Sequence, residues 1–207
     1  MEEETTEDIE KMAAISPSDK PYLEISVWQT WKARIPWLLL LMISATFTGQ
    51  IISKFEASLA VLPILTAYIP MLMDTGGNAG SQASVTIIRG LSLNQVNFKD
   101  IGKVIWKELR VSIIVGLTLA IINFAKLILI DKMLFNNTAI TYHIAAVICL
   151  TIFVIVVVAK FVGCTLPILT KKLGFDPTVM ASPFITTIVD ALGLLVYFQI
   201  ATRLLGI

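Results

Sequence analysis

The chain has 207 residues, of which 56% are hydrophobic and only 15% are charged, and its formal net charge is +1. A soluble globular domain is about 45–50% apolar and about 25% charged. A water-soluble fold of this length could not bury so much apolar surface, so the composition excludes an ordinary soluble domain and predicts an all-α integral membrane protein. We expect no nucleic-acid partner.

Residues 1–34 are predicted to form a cytoplasmic lead-in to a single membrane domain at 35–207. Six of the first ten residues are acidic, whereas a secretory signal needs an early positive charge and then an apolar core. Ile9, Met12 and Ile15 have a loosely helical spacing, and Pro17 ends that stretch.

Five segments are long and apolar enough to cross a bilayer as helices, which takes about 20 residues each. The second contains Asp74 as its only formal charge, and the fifth contains only Asp190. No internal repeat relates the segments. The sequence therefore predicts five transmembrane helices at about 36–53, 57–88, 111–130, 138–159 and 177–202.

The placement of lysine and arginine orients these helices. Twelve of these residues lie in the lead-in and in the loops on its side of the membrane. The opposite loops hold only Lys54, Lys132 and Arg203, with Lys126 reaching toward them along its apolar stem. The bias predicts a multi-pass protein of the plasma or inner membrane, with its N-terminus in the cytoplasm and its C-terminus outside.

The second span is unusually long and polar. At about 1.5 Å per residue, a helix over 57–88 reaches about 48 Å, against a hydrocarbon core of about 30 Å, so it must tilt, break or protrude. Pro63 and Pro70 predict a bend. Asp74, Asn78 and either Ser81 or Gln82 share one face, which must look at protein or water because facing lipid is costly. The glycines between them allow close helix approach.

The fifth span carries one acidic residue near its centre. Ser182, Thr186, Asp190 and Gly193 follow a spacing of four, four and three and line one face, with Thr187 beside them. A carboxylate at this depth costs about 3 kcal/mol on insertion scales. Asp190 is therefore a candidate cation ligand in a wet pathway.

Three structural explanations for the same carboxylate compete with a cation site. Asp190 could pair with Lys126 or Lys160. It could be protonated and hydrogen-bond a neighbouring helix. It could also belong to a helix–helix contact made through Thr186 or Thr187.

The polar side chains of the two spans are all oxygen donors, and no histidine or cysteine joins them. Hard oxygen ligands favour Mg²⁺, with Mn²⁺, Ca²⁺ and Co²⁺ as further candidates. Five helices with one central carboxylate do not easily enclose a pathway. Two copies around a two-fold axis would bring two Asp190 side chains together, and a divalent ion on the axis would offset their repulsion. We therefore expect a homodimer with the pore at the subunit interface.

Two blocks of sequence resemble the MgtE family of Mg²⁺ channels. The family's second membrane helix is similar to the run from Pro70 to Ser84, PMLMDTGGNAGSQAS, with the Arg89-Gly90-Leu91 that follows it. Its last helix is similar to the run that begins at Asp176-Pro177, contains Ser182-Pro183, Thr186-Thr187 and Asp190, and ends in GLLVYF. The resemblance covers nearly the whole chain.

The resemblance implies a homodimeric five-helix channel whose pore is lined by the second and fifth helices. The family's selectivity aspartate falls on Asp190, where it faces a largely hydrated Mg²⁺. Asp74 is a second acidic candidate, and the lead-in resembles a connecting helix that can plug the cytoplasmic mouth. The pore-lining candidates are Gly77, Asn78, Ser81, Gln82, Val85, Ser182, Thr186, Thr187 and Gly193.

The chain departs from the family pattern in two ways. Members of the family carry asparagine at the positions of Ser81 and Ser182 and threonine at Val85. These differences leave open the order of preference among divalent cations. They also commonly begin with an N-terminal domain and a pair of CBS domains that sense cytosolic Mg²⁺. This chain has neither, so we expect the chain by itself to lack closure of the pore in response to cytosolic Mg²⁺.

Three other functions fit parts of the pattern. A secondary exchanger of Mg²⁺ for H⁺ or Na⁺ would also use broken helices and a midplane carboxylate. A membrane subunit that conducts nothing is a second alternative. An intramembrane aspartyl protease would use Asp74 and Asp190 as a dyad, but its Tyr-Asp and Gly-x-Gly-Asp signatures are absent. We therefore predict that the chain is not an enzyme.

Overall fold

The computed structural model describes residues 2–18, 20–180 and 182–206, with side chains from residue 7 onward except those of 180 and 182. Every regular element in this part of the chain is a helix. Three short 3₁₀ helices, Tyr22–Glu24, Phe98–Asp100 and Pro177–Met180, join the longer ones, and a π-helix at Leu127–Leu134 continues α5. The α-helices are α1 Glu2–Met12, α2 Val27–Lys54, α3 Glu56–Val61, α4 Ile64–Ser92, α5 Ile101–Lys126, α6 Tyr142–Lys172 and α7 Ser182–Leu205.

Four helical segments in the described residues are long and apolar enough to cross a membrane, which makes this a multi-pass membrane protein. They are Val27–Lys54, Phe98–Leu134, Tyr142–Lys172 and Pro183–Leu205. Helix α4 is also long, at 29 residues, but the polar run from Asp74 to Ser84 makes it less apolar than these four. The fifth span therefore stays a prediction.

A break at Pro63 divides the helix predicted for the second span. Leu62, which precedes the proline, leaves the helical region with φ −129° and ψ 77°, because the proline ring crowds a helical backbone at the residue before it. The short α3 ends there and α4 begins at Ile64. Pro70 lies inside α4, which continues through it to Ser92.

Helix α6 extends 13 residues beyond the predicted end of the fourth span, from 159 to Lys172. It begins where the Thr141 hydroxyl accepts a hydrogen bond from the Ile144 N–H at 3.2 Å, a typical N-cap. The helix ends at Lys172, and Gly174 just beyond it has a φ of +83°, the left-handed conformation that glycine adopts without strain.

The core of the bundle forms where α4 packs against α6 and α7. Glycines make this packing close. A Cβ on Gly163 of α6 would overlap the carbonyl oxygen of Gly80 on α4, and a Cβ on Gly80 would lie 2.7 Å from the Ile185 Cγ2 of α7. The buried Tyr197 hydroxyl of α7 donates to the Leu65 carbonyl oxygen at 2.9 Å. The predicted close approach is present at Gly80.

Helix α2 lies at the edge of the bundle. None of its residues is buried, and it packs chiefly against α7. Two aromatic contacts hold it there, one made by Trp37 within the helix and one by Phe55, the residue that follows it. The Trp37 and Phe184 rings meet edge-on with centroids 5.9 Å apart, and the Phe55 and Phe198 rings stack at 4.7 Å.

We expect Gly163→Ala to destabilise the fold by about 1–3 kcal/mol, because the added methyl group meets backbone that cannot move aside cheaply. Gly102→Ala is the matched control, since a Cβ there meets nothing within 4 Å. The midpoint of thermal unfolding in detergent should fall for the first variant and stay level or rise for the second. Equal midpoints would contradict the packing described here.

Candidate functional site

A polar strip runs along the outer face of α4. Asp74, Asn78 and Gln82 are exposed on the single chain, one turn apart, whereas the opposite face of α4 is buried against α6 and α7. Val85, about one turn after Gln82, is apolar and 42% exposed. The bundle does not cover these side chains, so the stripe predicted from sequence lies on the surface of the single chain.

Helix α7 lies beside this strip and runs in the opposite direction. A Cβ on Gly77 would lie 2.9 Å from the Thr186 Cγ2, and one on Gly76 would lie 3.0 Å from the Val189 Cγ1. One turn beyond Thr186, Asp190 is therefore level with the acidic end of the α4 strip. Its side chain is half-buried.

The two acidic candidates lie on neighbouring helices. Asp74 of α4 and Asp190 of α7 are close to the point where Gly76 packs against Val189. Like charges at short range repel, and a cation between or beside them would remove the penalty. Within the described residues, no group of three or more His, Cys, Asp or Glu side chains converges as a metal site.

The two lysines considered as partners for Asp190 are both paired elsewhere. The Lys126 Nζ lies 2.9 Å from an Asp131 carboxylate oxygen, in the π-helix that continues α5. The Lys160 Nζ lies 3.5 Å from a Glu108 carboxylate oxygen. These ion pairs remove the simplest structural explanation for the Asp190 carboxylate.

The two threonines beside Asp190 donate their hydroxyl hydrogens within their own helix. The Thr186 and Thr187 hydroxyls each donate to the Pro183 carbonyl oxygen at 2.9 Å. Each hydroxyl oxygen keeps lone pairs that can accept a hydrogen bond from a water molecule. Thr186 contacts Gly77 of α4, so the threonines also take part in helix packing.

The remaining pore-lining candidates differ in how far they are buried. Gly193 is buried and faces α6, where a Cβ would make an ordinary contact at 3.4 Å from the Ile155 Cδ1. Ser81 is half-buried on α4, next to the polar strip. The side chain of Ser182 lies outside the described residues. The roles of these residues in a pore stay predictions.

Sequence reasoning missed the ion pair between Glu108 of α5 and Lys160 of α6. It placed Lys160 in a loop because the apolar run ends at Ala159, but α6 continues and Lys160 is only 6% exposed. The partners are 52 residues apart in sequence, so no local pattern reveals the pair. Removing one partner of such a buried pair costs about 3–5 kcal/mol.

A second ion pair joins α1 to the segment that leads into α7. The Lys11 Nζ lies 3.0 Å from an Asp176 carboxylate oxygen. Burial alone would raise the pKa of Asp176, but hydrogen bonds from Thr178 and Lys11 outweigh it and the pKa is lowered. The pKa of Lys11 is raised by its hydrogen bond to Asp176. Both shifts show that the folded chain favours the charged pair.

These features define an all-helical multi-pass membrane protein that presents two carboxylates and a strip of neutral oxygen donors on one face. Comparison with known families places it more narrowly. Residues 69–200 match the model of the MgtE family, described as divalent cation transporters. The chain belongs to the MgtE family.

Three relatives, each named magnesium transporter MgtE, are similar to the chain. The protein from Thermus thermophilus is 34% identical over 205 residues, covering 99% of this chain and 44% of the relative. The protein from Bacillus subtilis is 35% identical over 199 residues, covering 96% and 42%. The protein from Enterococcus faecalis is 31% identical over 169 residues, covering 82% and 36%. The chain thus spans less than half the length of these relatives.

We expect Lys11→Gln to increase hydrogen exchange of the α1 amides about two- to fivefold, because a partly exposed ion pair contributes about 0.2–1 kcal/mol. The pKa of Asp176 is lowered, so its contribution is present above the ordinary pKa of 3.8 and is lost as the pH falls through the lowered value. Lowering the pH should therefore increase the hydrogen exchange of the α1 amides, relative to the exchange of an unfolded chain at the same pH, more in the wild type than in the variant. Lys20→Gln, at an exposed position, serves as the control. Unchanged exchange in Lys11→Gln would contradict a role for this pair.

Proposed function

We propose that the chain transports Mg²⁺ across a membrane, through a pathway between two copies of itself that is lined by α4 and α7. One observation carries the proposal. The polar strip of α4 and the half-buried Asp190 form an oxygen-bearing face on the outside of the single chain, and Lys126 and Lys160 are paired with other carboxylates. Family membership and the names of the relatives support Mg²⁺ as the ion.

The exposed strip is the reason for proposing a homodimer. Asp74, Asn78 and Gln82 facing lipid would be costly, because the hydrocarbon offers no partners for their polar groups. A second chain related by a two-fold axis would cover the strip and turn it into the wall of a water-filled pathway. The same operation would bring two copies of Asp190 toward the axis. A divalent cation there would balance their repulsion.

The mixture of side chains suits an ion that keeps most of its water. Mg²⁺ gives up water reluctantly and is usually held by one or two carboxylates through a partial hydration shell. In the proposed pathway Asp190 attracts the hydrated ion, and the oxygens of Asn78, Thr186 and Thr187 accept hydrogen bonds from its water. Mn²⁺, Ca²⁺ and Co²⁺ share the preference for oxygen and are secondary candidates. The proposed orientation keeps the N-terminus in the cytoplasm.

We propose a fifth membrane span formed by α4, in addition to the four apolar helices. Helix α4 packs along both α6 and α7, and its 29 residues reach about 43 Å, enough to cross the hydrocarbon core. Its polar strip would lie against water in the pathway rather than against lipid. This arrangement explains why a helix central to the bundle is less apolar than its neighbours.

We expect Asp190→Asn to reduce selective Mg²⁺ uptake into proteoliposomes at least about tenfold, because the attraction of a carboxylate for a divalent ion in a half-buried site exceeds about 1.4 kcal/mol. Asp100→Asn is the matched control, since Asp100 pairs with Lys103 away from the strip. A fluorescent Mg²⁺ indicator inside the vesicles reports the flux, and size-exclusion chromatography checks the fold.

Each outcome of this experiment assigns a function. Unchanged uptake and selectivity in Asp190→Asn would refute the site. Uptake by the wild type that requires an opposing H⁺ or Na⁺ gradient would replace the channel with an exchanger, whereas unitary currents in a planar bilayer would support the channel. An absence of flux from the folded wild-type chain would favour a subunit that conducts nothing.

The dimer is tested separately by cross-linking. In a Cys149→Ser, Cys164→Ser background, we expect Asn78→Cys to give a cross-linked dimer with a short bis-maleimide, because the strip faces its symmetry mate. Ile121→Cys is the control, since Ile121 is 69% exposed on the apolar face of α5. A dimer band of equal intensity for both variants, or no dimer from Asn78→Cys, would contradict the proposed interface.

A further inference from the structure

A cavity of about 450 Å³ opens between the last turns of α4 and the first turns of α5. It lies at the end of the bundle that carries most of the lysine and arginine, and the segment 93–100 closes one side. Its walls are formed by Val85, Arg89, Val96, Val104, Lys107 and Glu108, among others. Only Val85 is shared with the pore-lining candidates.

The cavity carries a net positive charge. Arg89 and Lys107 are both exposed, and neither forms an ion pair with another residue that the structure describes. Glu108 also lines the cavity, but Lys160 neutralises its carboxylate at 3.5 Å. Two positive charges are therefore left at the rim. Such a pair attracts an anion, and a guanidinium in particular matches the geometry of phosphate oxygens.

The base of the cavity is apolar and firmly packed. Val96 and Val104 pack against a small buried cluster that contains Ile87 and Leu91. Gly90 lets Val96 approach, since a Cβ on it would lie 2.9 Å from the Val96 Cγ2. An apolar base beneath a cationic rim is amphipathic in the same sense as a phospholipid, which has an acyl chain beneath an anionic phosphate.

The side chains next to the cavity are of the kind found at the membrane interface. Trp106 is 60% exposed on the same turns of α5, with the Arg110 guanidinium 5.7 Å from its ring. Tryptophan and arginine side by side on an outer surface are typical of the boundary between lipid headgroups and hydrocarbon. A phospholipid of the surrounding leaflet would therefore meet the rim with its headgroup.

We propose that this cavity binds the phosphate headgroup of an anionic phospholipid from the leaflet on the basic side of the protein. Basic pockets between membrane helices on the cytoplasmic side are a recognised form of lipid site. The apolar base and the interfacial position favour a lipid over free phosphate, which has no apolar part to bury. The Arg89 and Lys107 side chains hold the phosphate, and the valines contact the upper part of an acyl chain.

A lipid bound here would connect two helices that pack mainly through a third. Helices α4 and α5 each pack extensively against α6, and the cavity separates their ends on the basic side. A headgroup held by Arg89 of α4 and Lys107 of α5 would link them directly. The membrane's content of anionic lipid would then influence the position of α4, which carries Asp74 and Asn78.

The test is native mass spectrometry of the purified chain titrated with phosphatidylglycerol or phosphatidylcholine. We expect the wild type to retain phosphatidylglycerol in preference to phosphatidylcholine. The double variant Arg89→Gln, Lys107→Gln should bind it about tenfold or more weakly, because each charge-assisted hydrogen bond to phosphate is lost. The matched double variant Lys99→Gln, Lys103→Gln removes the same charge from the same surface, outside the cavity, and should bind as the wild type does. Lys107→Glu provides a single-site check if the double variant unfolds.

Three results would overturn the proposal. Equal weakening in both double variants would reduce the effect to general surface charge. Equal retention of the two lipids by the wild type would show that phosphate charge is not recognised. The third is displacement of the lipid by inorganic phosphate at concentrations that do not unfold the protein, as checked with the Lys99→Gln, Lys103→Gln variant. That result would assign the cavity to free phosphate.

Discussion

The close approach of α4 to α6 and α7 is the constraint on which the rest of the structure depends. Backbone meets backbone at Gly80 and Gly163, and no side chain fits between them. Once that face of α4 is fixed inward, the helical period turns Asp74, Asn78 and Gln82 outward. The polar strip is thus a consequence of the packing on the other side of the same helix, and its alignment with α7 follows from the contact between Gly77 and Thr186.

Among the residues that the structure describes, no lysine forms an ion pair with Asp190. Lys126 pairs with Asp131 at one end of α5, and Lys160 pairs with Glu108 near the other. Each pair satisfies a charge that would otherwise be costly in an apolar bundle. A half-buried acid beside an exposed strip of oxygens fits the proposal of a cation pathway completed by a second subunit. The same bundle carries its spare positive charge at the rim of the cavity between α4 and α5.

Much of this fold was predictable because the signals are local. Apolar segments of sufficient length predicted the four membrane helices that the structure confirms. Pro63 and Pro70 predicted a bend, but the structure has a break at Pro63 and a continuous helix through Pro70. The spacing of Asp74, Asn78 and Gln82 predicted a shared face. The end of α6 was not predictable in this way, because Lys160 resembles a loop residue until its partner Glu108 is known. The burial of Gly193 against Ile155 was not predictable either, because the sequence shows which residues share a helical face but not which helix packs against that face.

The sequence by itself determined that the chain is a membrane protein, which residues share a helical face and which side chains can offer oxygen to a hard cation. These properties depend on composition and on the fixed period of the α-helix, and both can be read along the chain. Only the tertiary structure decided which face of α4 is buried, that the turns carrying Asp74 and Asp190 lie next to each other, and which carboxylates pair with Lys126 and Lys160. Those outcomes depend on close packing between helices far apart in sequence, where a single added methyl group decides whether two backbones can meet.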